Sequence, residues 1–300
     1  MTSINALTCN KKKGPQIWSG DELETSGGTR QGSISEKMYQ LGDKTYLMGG
    51  AGSVSLLANT FEEVQRTVKE QGANYATKVE DLIKDAYSRS YEKRRDELIL
   101  TPLSVTWDDV KKGSLNIEMR DRIWGNVRQF EEFNRCDFLA GGKLSNDEEF
   151  RLSVVNNTVS TGRQYYAIGS GMDISDHIIR SYLERMKIEE RKDILPHLGM
   201  RMIVEAAQGS RENVGVGGSG QIGYADENGV RIFTSDEVRL LHNVVFDEKT
   251  GLLDKETVDK IIIDTIGKTK EVSDILKELE EKVDHKRFFK EHYTGRLQKY

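Results

Sequence analysis

The chain has few cysteines and no histidine motif. Only Cys9 and Cys136 occur among its 300 residues, and neither stands in a CxxC pattern or at a spacing typical of metal ligands. Such sparse cysteines are typical of reduced thiols in the cytoplasm. The five histidines are scattered, without an HExxH motif or a close pair. We therefore expect no metal site and no bound cofactor.

Long apolar runs and a strong excess of one charge are also missing from the sequence. No apolar stretch approaches the roughly 18 residues of a membrane-spanning helix, and no signal-peptide pattern is present. The net charge of −5 gives no overall attraction to nucleic acid or to anionic membranes. The sequence contains no GxxxxGK[ST] motif, so any step driven by ATP would need a separate partner. These absences favour a cytoplasmic globular protein.

Glycines punctuate the chain and separate short strand-like segments. KKKG is typical of a hairpin turn after the first strand, and DENG is a strong hairpin signal further on. We expect GDELETSGG, at 20–28, to be a loop. Strand patterns cover 2–9, 16–19, 38–41, 45–48, 136–144, 149–155, 165–169, 221–225 and 230–233.

Helical patterns lie between these strands and after them. The first strand has apolar residues on both faces, which favours a sheet that is covered on both sides. Hairpins with paired helices between them predict an α+β fold. We expect a four-layer αββα sandwich, in which two antiparallel sheets pack face to face with helices outside. The helical patterns cover 54–68, 79–87, 119–130, 174–186 and 194–207, and resume after 235.

The beginning of the chain, MTSINALT, places a threonine directly after the initiator methionine. If Met1 is removed, Thr2 carries a free amine and a hydroxyl, which together can form a nucleophile and its base. The ordinary pKa of a terminal amine is about 7.7–8.0, so a fair fraction is neutral near pH 7 and can accept the hydroxyl proton. Thr2 is therefore a candidate nucleophile.

Such a nucleophile needs a cation, a carboxylate that holds the cation, and N–H donors for the developing oxyanion. Asp21 follows the second predicted strand, and Lys37 stands sixteen residues later at the start of the third. The stretch LMGGAGS, which contains Gly49, is predicted to turn directly into a helix, where N–H groups converge. Ser170, in YAIGSG, lies on a second predicted strand-to-helix turn.

In their order along the chain, TSINAL, SGDELETSGG, SEKMYQL and LMGGAGS resemble the proteasome β-subunit family and its bacterial ATP-dependent relative. Both are N-terminal nucleophile hydrolases. YYAIGSG and GGSGQIGYADENG resemble that family's later strand motifs. The likeness covers 2–68 and again 136–233, and the spacing of Asp21 and Lys37 equals the family's spacing. Single motifs are weak, but their ordered combination is fairly specific.

The resemblance implies a threonine endopeptidase that cleaves amide bonds through an acyl-enzyme ester. Thr2 would be the nucleophile with its own amine as proton acceptor, Lys37 would lower the hydroxyl's proton affinity, and Asp21 would orient Lys37. The Gly49 N–H would stabilise the oxyanion, and Ser170 would hydrogen-bond near the Thr2 amine. The resemblance further implies a homo-oligomeric ring that takes peptides or unfolded proteins, with a separate ATPase or proteasome-like subunit as a possible partner.

Several segments depart from the family pattern. Family members usually carry an aspartate and a serine before the late GG, whereas the loop SRENVGVGG has Asn213 and Val216 there, with Glu212 adjacent. The charged stretch at about 75–113 and the tail after 235 exceed the usual core. We therefore predict a proteasome-like hydrolase domain over 1–234, with an insert at 75–113. A helical C-terminal extension is predicted over 235–300.

Each candidate residue also has an ordinary structural interpretation. Thr2 could follow a retained methionine, Asp21 could cap a turn, and Lys37 could be a solvated charge. GGAGS could be only a tight turn, and Ser170 only the N-cap of the next helix. Two other functions stay open. One is acyl transfer to an amine, as in a peptide ligase or amidotransferase, and the other is a non-catalytic assembly subunit.

Overall fold

The computed structural model describes most of the chain, including the segments on which the candidate site depends. For residues 23–26, 29–34, 71, 281 and 282 it describes the backbone alone. The described residues are 2–21, 23–26, 29–34, 37–41, 46–71, 78–143, 149–156, 158–211 and 220–282.

The described strands form two five-stranded antiparallel sheets and one two-stranded sheet. The strands are β1 (Ser3–Thr8), β2 (Gln16–Gly20), β3 (Leu23–Ser26), β4 (Thr29–Ile34), β5 (Met38–Leu41), β6 (Tyr46–Gly52), β7 (Cys136–Gly142), β8 (Arg151–Val155), β9 (Val159–Thr161), β10 (Tyr165–Gly169), β11 (Gln221–Asp226) and β12 (Gly229–Ile232). The first sheet has the order β10-β1-β2-β11-β12, and the second has the order β5-β6-β7-β8-β9.

The helices begin at residues that suit helix starts. Asp254 is the N-cap of the helix that begins at Lys255, and it accepts a hydrogen bond from the Thr257 N–H at 2.8 Å. Pro196 occupies the first turn of its helix, where a missing N–H costs nothing. The described α-helices are α1 (Val54–Gln71), α2 (Val79–Arg95), α3 (Trp107–Lys112), α4 (Ile117–Phe133), α5 (Met172–Arg185), α6 (Ile188–Lys192), α7 (Pro196–Ser210), α8 (Ser235–Lys249), α9 (Lys255–Gly267) and α10 (Val272–Lys282), with a short π-helix (Asp96–Leu100) and a 3-10 helix (Thr101–Leu103) between α2 and α3.

The two large sheets pack face to face, and apolar side chains from both fill the space between them. Ile4 and Trp18 of the first sheet lie in one cluster with Leu47 and Leu139 of the second. Every residue of β1 is buried, because this strand has the second sheet on one face and helices on the other. This arrangement confirms the predicted four-layer αββα sandwich.

Helices complete the two outer layers through separate hydrophobic clusters. On the first sheet, Leu7 and Ile17 pack in one cluster with residues of α5, α7, α8 and α9. On the second sheet, Met48 and Phe138 pack with residues of α1 and α2. The helices α8–α10, which follow residue 235, belong to the cluster on the first sheet.

The prediction of a loop over GDELETSGG is wrong for part of its length, whereas a helix predicted further along the chain is observed. GDELETSGG is not a loop throughout, because its residues 23–26 form β3 and pair with β4. These residues lack the alternation of apolar and polar side chains that marks a half-buried strand. The helix predicted over 119–130 is observed as α4, which spans Ile117–Phe133. Val110, Ile123 and Phe130 form a separate small cluster.

Candidate active site

β1 and β2 bring Thr2 and Asp21 together at one end of the first sheet. Thr2 immediately precedes β1 and Asp21 immediately follows β2, and antiparallel pairing places these two ends side by side. The Asp21 N–H donates to the Ser3 carbonyl at 3.1 Å, and the Ser3 N–H donates to Asp21 Oδ1 at 2.9 Å. The carboxylate is thereby fixed beside the residue that follows Thr2.

Lys37 reaches this pair from the second sheet. It directly precedes β5, and its side chain crosses to the first sheet. Its Nζ donates to Thr2 Oγ1 at 3.1 Å and to Asp21 Oδ1 at 3.2 Å. Thr2, Asp21 and Lys37 are only 8%, 6% and 6% exposed. The structure therefore brings three of the predicted site residues into one buried cluster.

The attraction between the Lys37 ammonium and the Asp21 carboxylate partly offsets the cost of burying these charges. Burial raises the pKa of the Asp21 carboxyl above its ordinary value, while the Lys37 ammonium and the Ser3 N–H act in the opposite direction. The removal of water from a buried ion pair can cost more free energy than the attraction returns. The ion pair of Asp21 and Lys37 is therefore better explained by its role in positioning neighbouring groups than by a contribution to stability.

The cluster has the chemical parts of an activated hydroxyl. An ammonium that donates to a hydroxyl oxygen stabilises the alkoxide that forms when the proton leaves. Because the Thr2 and Lys37 side chains are largely removed from water, this attraction is stronger than it would be in bulk solvent. Asp21 keeps the ammonium in position, since one of its oxygens accepts both from Lys37 and from the Ser3 N–H.

The turn between β10 and α5 lies against the Thr2 carbonyl. The Ser170 hydroxyl and the Gly171 N–H both donate to the Thr2 carbonyl oxygen, each at 3.4 Å. Gly171 is the N-cap of α5, so the interpretation of Ser170 as that cap is wrong. Gly169 has a φ of +87°, and a Cβ there would lie 2.1 Å from the Thr2 oxygen. Glycine is therefore required for this close approach.

The position of Gly49 differs from the prediction. It does not lie on a turn but inside β6, opposite Met38 of β5 and Leu139 of β7. The Gly50 N–H donates to the Lys37 carbonyl at 3.2 Å. Successive pairs of an antiparallel ladder alternate between bonded and non-bonded, so the Gly49 N–H is directed toward β7 and away from Lys37. This geometry argues against the predicted oxyanion role of Gly49.

Sequence reasoning missed Gln221, which contacts the backbone of Lys37. Its side-chain Oε1 accepts from the Lys37 N–H at 3.1 Å and from the Met38 N–H at 3.2 Å. The sequence shows only that Gln221 begins a predicted strand. Its contact with Lys37 depends on the pairing of β11 with β2 and on the packing of one sheet over the other.

Most of the loop SRENVGVGG, which departs from the family pattern, lies outside the described residues. Glu212, Asn213 and Val216 lie outside the described residues. Within the described part of the chain, His, Cys, Asp and Glu side chains form no group of three or more that could hold a metal ion. Among the same residues, no helix combines the length and the apolar character needed to cross a membrane.

A cleft of about 920 Å³ opens at the opposite end of β1, beside Thr8. Most of its charged side chains are exposed, whereas Glu80 is buried and accepts from the Ser153 hydroxyl at 2.8 Å. Four cations face three carboxylates there, so the cleft favours no single class of charged ligand. These charged residues are Lys11, Lys78, Arg151, Arg163, Glu80, Asp81 and Glu149.

Comparison with known proteins adds no family to these observations. No protein-family model matches the chain, and no curated protein matches it. The candidate site is therefore supported by its own geometry and chemistry.

Proposed function

We propose that this protein is a threonine-type N-terminal nucleophile hydrolase that cleaves amide bonds through an acyl-enzyme ester. The observation that carries the proposal is the contact of Lys37 Nζ with Thr2 Oγ1, at 3.1 Å, and with Asp21 Oδ1, at 3.2 Å. A hydroxyl, an ammonium and a carboxylate from three segments meet in a buried position. Removal of Met1 would add a free amine on Thr2, which can act as the base.

In the first step, the Thr2 amine accepts the hydroxyl proton while Oγ1 attacks the carbonyl carbon of the substrate amide. The Lys37 ammonium stabilises the negative charge on Oγ1 as the proton leaves, and Asp21 holds that ammonium in place. The C–N bond then breaks, and the leaving amine takes the proton from the Thr2 ammonium. Thr2 and the acyl group of the substrate are now joined as an ester.

In the second step, water replaces the leaving amine. The Thr2 amine accepts a proton from the water, whose oxygen attacks the ester carbonyl. The bond between the acyl carbon and Oγ1 breaks, and Oγ1 regains a proton from the ammonium. The products are a free carboxylic acid and the original Thr2, so the cycle is balanced without a cofactor.

A peptide β-lactone tests the proposal, because a nucleophilic hydroxyl opens the lactone ring and keeps the whole probe as an ester. We expect intact-mass spectrometry to show loss of Met1 and addition of one probe mass. Thr2→Val keeps the shape of the side chain but removes the hydroxyl, so it should not be labelled. Thr2→Ser keeps a hydroxyl and should be labelled.

Thr8→Val is the matched control for this experiment. Thr8 is 2% exposed and lies at the other end of the same strand, and the substitution removes its hydroxyl. We expect its labelling rate to equal that of the wild type. Labelling of Thr2→Val at the wild-type rate would place the nucleophile elsewhere and overturn the proposal.

The fate of the acyl group separates hydrolysis from transfer to an amine. We propose water as the acceptor, so a peptide substrate incubated with excess amine should yield mainly the free acid. An amide-linked product would instead identify a peptide ligase or amidotransferase.

We further propose that the protein works as a cytoplasmic homo-oligomeric ring that takes peptides or unfolded proteins. The resemblance to ring-forming hydrolases supports the ring. The compartment is a separate point, for which the free thiols of Cys9 and Cys136 agree with a reducing environment. Native mass spectrometry should show a multiple of the 34.0 kDa chain. A monomer at micromolar concentration would contradict the ring.

A further inference from the structure

Gln221 connects the two large sheets beside Thr2. It begins β11 and lies opposite Gly20, the residue that precedes Asp21. Its side-chain Oε1 crosses to the second sheet and accepts from the Lys37 N–H at 3.1 Å and the Met38 N–H at 3.2 Å. A carbonyl oxygen has two lone pairs, so two donors use its whole capacity.

Lys37 is therefore held at both ends by residues of the first sheet. Asp21, which follows β2, accepts from its ammonium, and Gln221, on the neighbouring strand, accepts from its backbone N–H. Within the second sheet, the Lys37 carbonyl accepts from the Gly50 N–H at 3.2 Å. A lysine side chain is long and flexible, so its Nζ keeps one position only when backbone and ammonium are both fixed.

We infer that Gln221 is a positioning residue, which sets the place of Lys37 Nζ against Thr2 Oγ1. This role rests on the proposed function, because the distance between these two atoms matters only if Thr2 reacts. Gln221 takes no proton itself and acts through Lys37. A misplacement of about 1 Å at a reacting centre can lower a rate about 100-fold, so a contact of this kind can control reactivity.

Gln221→Met tests the inference, because methionine keeps the length and the apolar stem of glutamine but removes the carbonyl acceptor. Gln221→Glu is the conservative variant, since a carboxylate oxygen can accept both N–H bonds. Gln16→Met is the matched control. Gln16 also joins the two sheets, by donating from Nε2 to the Arg151 carbonyl at 2.6 Å, but at the far end of β2.

The maximal rate of β-lactone labelling should fall about 10- to 100-fold in Gln221→Met. The probe concentration that gives half of the maximal rate should change little, because Gln221 acts on the reacting atoms and not on probe binding. Gln221→Glu should recover most of the rate, and Gln16→Met should be labelled like the wild type. Wild-type labelling in Gln221→Met would overturn the inference. An equal loss in Gln16→Met would also overturn it, because the effect would then be a general weakening of the fold.

Amide hydrogen exchange separates this inference from the proposed function. The N–H groups of Lys37 and Met38 should exchange faster in Gln221→Met than in the wild type, whether or not Thr2 reacts. Unchanged exchange together with normal wild-type labelling would overturn the role of Gln221 alone. A wild-type protein that is not labelled at all would overturn the proposed function and this role with it.

Discussion

The two ends of β1 carry similar residue types in different environments. At one end, Thr2 lies against Lys37 and Asp21, and all three side chains are buried. At the other end, Thr8 lies beside a cleft of about 920 Å³, where most of the charged side chains face solvent. An open cleft of this size is a usual place to look for a ligand site. Mutual contact between buried polar groups selects the Thr2 end instead.

This difference has an energetic reason. A buried charge without a partner costs several kcal/mol, so buried charges persist where other groups hold them. Around the cleft, water compensates the charges and little depends on their mutual geometry. Matched substitutions at the two ends should therefore differ strongly in their effects on stability and on Thr2 reactivity.

The largest difference is expected between Lys37→Met and Lys11→Met. Loss of Lys37 removes the ammonium from Thr2, so the labelling rate should fall at least about 100-fold. It also leaves Asp21 buried without its cation, which should lower the free energy of unfolding by about 3–5 kcal/mol. Lys11 is an exposed residue of the cleft and donates to the Gly162 carbonyl at 3.4 Å, so its loss should change neither quantity.

Urea unfolding and the rate of β-lactone labelling measure both effects of these lysine substitutions. Similar losses in Lys37→Met and Lys11→Met would remove the distinction between the two ends of β1. Normal labelling in Lys37→Met would separate Thr2 from its proposed activating group.

A pair of glycines gives the next largest difference. Gly169 near Thr2 and Gly162 in the cleft have φ angles of +87° and +93°, so alanine should cost about 1–3 kcal/mol of backbone strain at either position. A Cβ at Gly169 would lie 2.1 Å from the Thr2 oxygen, whereas a Cβ at Gly162 would meet no heavy atom within 4 Å. Overpacking should therefore add about 1–3 kcal/mol at Gly169 only.

Labelling provides the second readout for the glycine pair. Gly169→Ala should displace Thr2 and lose most of its labelling, while Gly162→Ala should react like the wild type. If Gly162→Ala were destabilised as much as Gly169→Ala in urea, the turn at Thr2 would not be as tightly packed as the structure shows.

A smaller effect is expected in the pH dependence of stability. Burial raises the folded-state pKa of Asp21 above its ordinary 3.8, so the folded protein binds this proton more tightly than the unfolded chain. Such a group stabilises the fold below the unfolded-state pKa, and this contribution is lost as the pH rises through the folded-state pKa. The free energy of unfolding of the wild type, relative to Asp21→Asn, should therefore decrease as the pH rises above 3.8.

Urea unfolding of both proteins at a series of pH values measures this linkage. If the free energy of unfolding of the wild type, relative to Asp21→Asn, instead increased with rising pH, the effects of Lys37 and the Ser3 N–H on the Asp21 pKa would outweigh that of burial.

The smallest effect is expected for Ser170→Ala. The Ser170 hydroxyl donates to the Thr2 carbonyl at 3.4 Å, which is long for a hydrogen bond. Its loss should cost no more than about 0.5–1.5 kcal/mol of stability, with a labelling rate reduced only a few-fold. A loss of labelling as large as that of Lys37→Met would give Ser170 a direct role in the reaction.

Much of the fold follows from local patterns in the sequence. Apolar periodicity and hairpin signals locate most of the strands and helices, and the apolar residues on both faces of β1 indicate a strand with a covered surface on each side. The meeting of Thr2, Asp21 and Lys37 also agrees with the sequence, because strand ends at one edge of a sandwich are close in space. The strand β3 escaped prediction because its side chains do not alternate.

The parts that sequence reasoning missed depend on register between distant segments. The direction of the Gly49 N–H follows from which residues of β5 and β7 lie opposite it, and no local pattern shows this. Gln221 meets Lys37 across 184 residues of sequence, through pairing in one sheet and packing against the other. Motifs can therefore name the reacting groups, while the groups that position them become visible only in three dimensions.

The central claim is that Thr2 becomes the first residue and reacts through the hydroxyl that lies beside Lys37. Tandem mass spectrometry of the N-terminal peptide, after exposure of the native protein to the β-lactone, tests it most directly. We predict a peptide that begins at Thr2 and carries one probe, joined as an ester that hydroxylamine removes. A peptide that retains Met1, or one that begins at Thr2 without the probe while another residue carries it, would contradict the account.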